Sequence, residues 1–175
     1  MDTGDEKNES KYPKDQPPRC FTTDSTEFTE QSANTIADDI AREFTLNSEQ
    51  SRAYRLVADA LVGEVTGIPL DQLRMYVGGE AGSGKTRTIY AIQALFARLR
   101  KANWLCTAAF MGSAAEAIGG RTLHSWTGIR RDTQATTTSR ARFLSDARFW
   151  IVDEVSMMGE FFLVFVCHSL PHLRY

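Results

Sequence analysis

From residue 45 onward the apolar residues recur with two alternating periods. Asn47 is followed three residues later by Gln50, the spacing of a capped helix start. Beyond it Ala53, Leu56, Val57, Ala60 and Leu61 fall on one helical face. Residues 73–77 (Leu-Arg-Met-Tyr-Val) read as a short strand ending in Gly78-Gly79. Residues 86–101 predict a helix with Ile89, Ile92, Leu95, Phe96 and Leu99 on its inner face. A second strand follows over 104–109, then an alanine-rich helical stretch over 113–118 that Gly119-Gly120 breaks. Residues 122–127 read as a turn or short helix, and 130–140 are polar and without period, hence a loop. Residues 149–152 are four apolar residues in a row, a strand that ends in Asp153-Glu154. Strands alternating with helices predict an α/β fold: a parallel sheet flanked by helices, with ligands at the carboxyl ends of the strands.

The chain has 175 residues, room for one folded domain. A net charge of −2 hides an asymmetry, because residues 1–40 carry ten acids and four bases. Those forty residues hold Phe21, Phe28, Ile36 and Ile40 as their only Leu, Ile, Val or Phe, and three of the five prolines. They bury too little apolar surface to offset chain entropy, so 1–40 is expected to be a largely disordered acidic tail ahead of a folded lobe over 41–175. Ile36, Ile40 and Phe44, at fourfold spacing, allow one amphipathic helix at its end. The polar, acidic start excludes a secretory signal, and no run of 18 apolar residues exists to cross a membrane. Cys20, Cys106 and Cys167 are too few and too widely spaced for a disulfide framework or a zinc set.

The string Gly79-Glu-Ala-Gly82-Ser83-Gly84-Lys85-Thr86 fits the phosphate-loop pattern G-x-x-x-x-G-K-[ST], placed between a predicted strand and a predicted helix. Glycines let backbone N–H groups turn inward around a phosphate, and the helix start adds partial positive charge. Lys85 would reach the β- and γ-phosphates, and the Thr86 hydroxyl would bind Mg²⁺. Such a site needs a second metal partner and a group that activates water. Asp153 at a strand end can hold Mg²⁺ through water, and Glu154 beside it can orient or deprotonate the attacking water. A dinucleotide fold is excluded, since no G-x-G-x-x-G spacing is present.

Four segments occur in a telling order: Leu46-Asn-Ser-Glu-Gln50, Gly78 to Thr86, Ile118-Gly-Gly-Arg-Thr-Leu-His-Ser125 and Val152-Asp-Glu-Val-Ser-Met157. Together they resemble the first, RecA-like lobe of the Pif-type DNA helicases, the superfamily-one branch that includes RecD and the helicases of Helitron transposons. The resemblance covers roughly residues 45–158, and the Thr-Leu-His-Ser segment is its most specific part. It implies ATP as substrate with Mg²⁺, single-stranded or forked DNA as partner, and Gln50 as the reader of adenine. It implies DNA contacts at Thr107, Gly112, His124 and Ser125, although Phe110-Met111-Gly112 stands where the family has a Thr-Gly pair. Arg130, Arg131, Arg140 and Arg142 are candidates for added phosphate contacts. Trp104 and Trp126 are assigned to packing. Movement from 5′ to 3′, roles in repair, recombination, telomere upkeep or transposition, and a nuclear or mitochondrial location would follow from the same resemblance.

The family continues past its Asp-Glu motif into a further strand and a second lobe with an arginine finger. Only twenty-two residues follow Asp153 here, and they include the unbroken apolar run 161–167. The expectation is a lobe with an incomplete sheet, marginal stability and little turnover of its own. Two other readings stay open at this point, a P-loop NTPase of another kind and a nucleotide-binding remnant without activity.

Overall fold

A computed structural model of the chain describes residues 28–68, 71–127 and 146–158. Three helices come first: α1 (Glu30–Glu43), α2 (Ser48–Thr66) and α3 (Lys85–Arg98). After them the strands β1 (Leu105–Ala109), β2 (Arg121–Thr122) and β3 (Phe149–Asp153) alternate with the short helices α4 (Gly112–Ala117) and α5 (Leu123–Thr127). The sheet is parallel, in the order β2-β1-β3. Its register places Ala109 opposite both Thr122 and Asp153, so the carboxyl ends of all three strands line up on one edge. Among the described residues no helix is long and apolar enough to cross a membrane.

Period-two alternation sets the two faces of the sheet. On β3, Phe149 and Ile151 pack against the layer of α1, α2 and α3, while Trp150 and Val152 pack with Leu123 and Trp126 on the other face. Phe149 meets Phe96 of α3 edge-on at 5.1 Å between ring centroids, and Trp150 meets Trp126 at 6.0 Å. Continuing the alternation puts Asp153 on the same face as Ile151, the face that α3 covers.

Helix α1 is the amphipathic helix that Ile36, Ile40 and Phe44 allow, and it spans the boundary expected at residue 41. Thr29 caps it, accepting from the Ser32 N–H at 3.2 Å, and Ala33, Ala37 and Ile40 are wholly buried against α2 and α3. Two of its three buried positions are alanines, which fill a helix–helix contact without raising a count of Leu, Ile, Val and Phe. Ile36 and Phe44 lie only partly buried, so the inward face is rotated from the fourfold stripe. The Tyr54 hydroxyl, fully buried, donates to the Ala37 carbonyl at 3.0 Å and ties α1 to α2. Ion pairs Arg55–Asp38 and Arg98–Glu43 flank the same layer.

The predicted capping box of α2 is present in full, and Gly67, at φ +73°, ends the helix. The buried stripe runs Tyr54, Val57, Ala58, Leu61 and Val62, so Leu56, expected inside, is 45% exposed. On α3 the expected Ile89, Ile92, Leu95, Phe96 and Leu99 are all buried.

Residues 73–77 form no strand. Every residue from 71 to 80 is exposed and irregular, with Tyr76 at 79%. Apolar alternation makes a strand only where another strand accepts its N–H and C=O groups. Among the described residues β3 pairs on one edge alone, with β1, and nothing bridges from β3 to 73–77. The loop 130–140 and the apolar run 161–167 lie outside the described residues, as does the tail ahead of residue 28.

Candidate nucleotide site

The glycine-rich loop leads straight into α3, whose first N–H groups have no partner within the helix. Gly84 caps that helix at φ +84°, ψ 21°, a left-handed conformation that suits glycine. At Gly79 an added Cβ would lie 2.7 Å from the Ser83 hydroxyl, so the loop closes on itself too tightly for a side chain there. Lys85 folds back over the loop, its ammonium donating to the Gly79 carbonyl at 2.7 Å and the Glu80 carbonyl at 2.9 Å. Neutral carbonyls thus hold the one cation that the loop supplies. Phosphate oxygens would replace them with charged acceptors, which make stronger hydrogen bonds.

Strand β3 delivers the acids. Asp153 is its last residue, and its Oδ1 accepts from the Glu154 N–H at 2.9 Å. Glu154 then takes φ +52°, ψ 42°, a left-handed conformation that costs a non-glycine residue about 1–3 kcal/mol. The turn this makes ends the strand abruptly and leaves both carboxylates at one cleft. That cleft, of about 280 Å³, is lined by Ala81, Gly82, Ser83, Gly84, Lys85, Thr86, Asp153 and Glu154. Residues about seventy positions apart in the chain therefore share one cavity. Thr86 and Asp153 offer it a hydroxyl and a carboxylate, hard oxygen donors of the kind Mg²⁺ takes in small number alongside phosphate oxygens. The donor set fits the ion.

Gln50 does not line the cleft but adjoins it. Its Nε2 donates to the Ser83 carbonyl at 3.1 Å, and its Oε1 accepts from the Asn47 N–H at 3.1 Å.

The expected DNA contacts divide. Gly112 opens α4, separated from the end of β1 by two residues, with open space where a Cβ would be. His124, exposed, sits 5.5 Å from the Phe110 ring. Ser125 is exposed, its N–H donating to Thr122 Oγ1 at 3.2 Å and its Oγ accepting from the same hydroxyl at 3.0 Å. These three follow the carboxyl ends of β1 and β2, the edge of the sheet where Asp153 lies. Thr107 lies apart from these three. It is 7% exposed within the central strand, its hydroxyl accepting from Gln93 at 3.1 Å and its carbonyl from the Trp126 indole at 3.1 Å.

In the sequence Gln93 reads as one polar residue on a helix. It bridges the Thr107 hydroxyl and the Ile118 carbonyl (2.8 Å), joining α3 to β1 and to the turn after α4. Trp104 and Trp126 do pack: Arg148 lies 4.2 Å and Lys101 4.6 Å from the Trp104 ring, and Arg121 lies 5.5 Å from that of Trp126. The four loop arginines 130, 131, 140 and 142 lie outside the described residues.

A family model described as "AAA domain" matches residues 67–171. The chain is also similar to an "ATP-dependent DNA helicase Pif1" of Psychrobacter sp. (strain PRwf-1), 34% identical over 109 residues. That match covers 57% of this chain and 16% of the relative, so the chain spans about a sixth of the relative's length. No solved structure matches it.

Proposed function

We propose that this chain, which belongs to the AAA-domain family of P-loop NTPases, is the ATP-binding lobe of a DNA helicase that couples hydrolysis to movement along single-stranded DNA. The observation that carries the reading is the shared cleft, where the loop Gly82 to Thr86 meets Asp153 and Glu154. In it the backbone N–H groups at the start of α3 and the Lys85 ammonium hold the phosphate chain. Thr86 and Asp153 would hold Mg²⁺, which when bound neutralises charge on the β- and γ-phosphates. Glu154, exposed beside Asp153, takes the proton of the attacking water. Gln50 contacts the adenine from the start of α2.

DNA is the second partner. Gly112, His124 and Ser125 stand on the same edge of the sheet as the cleft, so a strand lying across them would be within reach of changes at Asp153 and Glu154. Movement from 5′ to 3′, and service in DNA repair, recombination and telomere maintenance in a nucleus or mitochondrion, belong to the same proposal. Lys85 is the sole cation lining the cleft among the described residues. An arginine finger contributes about 10³–10⁵ to rate in P-loop enzymes, so turnover by this chain alone should be slow.

The test is ATP hydrolysis with and without single-stranded DNA. Nucleotide binding with hydrolysis that rises on adding single-stranded DNA is the expected result. Hydrolysis indifferent to DNA would assign the site to a P-loop NTPase of another kind, and binding without hydrolysis in either condition would make it a nucleotide-binding remnant.

A further inference from the structure

Gln50 is held at both ends of its amide, and the two bonds run to different parts of the molecule. Asn47 Oδ1 accepts from the Gln50 N–H at 2.9 Å, and Gln50 Oε1 accepts from the Asn47 N–H at 3.1 Å. This reciprocal cap pins Oε1 on the start of α2, so the planar amide presents Nε2 away from it. Nε2 reaches 33 residues along the chain to the Ser83 carbonyl, at 3.1 Å. A Cβ at Gly84, the next residue, would collide with that same Nε2. The loop therefore fits around the glutamine as closely as the glutamine is fixed to its helix.

The consequence lies in the peptide plane. In a trans peptide the carbonyl of one residue and the N–H of the next point in opposite directions. Holding the Ser83 carbonyl toward α2 turns the Gly84 N–H away from α2. The N–H groups of this loop are what a phosphate would meet. We infer that Gln50 is a positioning residue for the phosphate loop: its bond to Ser83 fixes the Ser83–Gly84 peptide and preforms the N–H cradle, whether or not a base is bound. The inference rests on the phosphate-site reading above and adds to the adenine contact. The amide retains a second Nε2 hydrogen and a second Oε1 lone pair, enough for a base as well.

A ligand with phosphates and no base separates the two roles. The probe is inorganic tripolyphosphate with Mg²⁺, titrated calorimetrically into the full chain beside Mg·ATP. Gln50→Met keeps the length of the side chain and loses both amide atoms. It should weaken tripolyphosphate about three- to tenfold, as the loss of one hydrogen bond does, and ATP by at least as much. Asn47→Ala removes the other half of the cap and leaves the Ser83 bond in place. It should lower Tm yet keep tripolyphosphate affinity within about twofold, where a merely structural role for Gln50 would make the two variants lose affinity alike. Gln50→Met with full tripolyphosphate affinity and a loss confined to ATP would overturn the inference and leave the phosphate site standing. A parent chain that binds neither ligand would overturn the phosphate site, and the inference with it.

Discussion

At the scale of single residues, the cleft depends on groups whose roles separate cleanly by substitution. Lys85→Ala removes the ammonium that now bonds Gly79 and Glu80, and Mg·ATP affinity should fall at least about tenfold by calorimetry. Glu154→Gln keeps shape and loses basicity. ATP should still bind, while single-turnover hydrolysis drops by about 10²–10⁴ if the carboxylate is the base; an unchanged rate would remove Glu154 from the chemistry. Gly84→Ala meets two obstacles, a left-handed backbone at φ +84° and the Gln50 amide. Nucleotide binding should be lost in the single variant. In the double variant with Gln50→Ala the clash is gone, while the backbone strain, about 1–2 kcal/mol, and the loss of the Gln50 bond to Ser83 remain, so any recovery over the single variant is a lower bound on the steric part.

At the scale of elements, α1 and the segment before the loop exchange the roles that their composition suggests. Ile40 is wholly buried between α1, α2 and α3. Ile40→Ala should cost about 2–5 kcal/mol in urea unfolding, the range for a large-to-small change in a packed core. A disordered tail would show no change. Met75, by contrast, lies in the exposed, irregular stretch from 71 to 80. Met75→Pro should leave stability within about 0.5 kcal/mol, as a surface change away from special geometry does. A loss well beyond that would mean the segment is paired as a strand after all. Arg87 links these elements to the site: it donates to the Phe44 carbonyl at 2.6 Å and to the Thr45 hydroxyl, binding the end of α1 to the first turn of α3. The helix that carries Lys85 and Thr86 is thereby anchored on its outer side as well as through Gln50.

For the molecule as a whole, two buried acids set a limit at high pH. Burial pushes the Cys106 thiol up from 9.0 to about 12, and burial likewise raises the Tyr54 hydroxyl above its ordinary value. Each group holds its proton more tightly in the folded chain than in the unfolded one. The stability this adds is complete below the unfolded thiol's value of 9.0 and is lost as pH rises from there through about 12. The urea midpoint should therefore fall between pH 8 and pH 10.5, and Cys106→Ala should lessen the fall. A midpoint that holds steady over that interval would contradict the burial of both groups.

Much of the site could be read from the chain because its signals are local. Gly79 to Thr86 spells a loop whose glycines and lysine are dictated by backbone geometry and phosphate charge, and the capping box at Asn47 and Gln50 is complete within four residues. The apolar run before Asp153 forms β3 and carries the two carboxylates to the cleft. What local pattern does not encode is the partner. Residues 73–77 alternate like a strand, but a strand exists only where another supplies its hydrogen bonds. The chain pattern around Thr107 does not say that β1, among the described strands, lies between two others with its Thr107 side chain buried. Ala33 and Ala37 fall outside a count of Leu, Ile, Val and Phe, yet close helix contact is where small residues count. The second bond of the Gln50 amide spans 33 residues and follows from no spacing at all. The sequence by itself determined which short segments bend, cap and carry charge, since those depend on neighbours in the chain; the tertiary structure alone decided which surfaces are covered, because burial and pairing depend on what lies across from them.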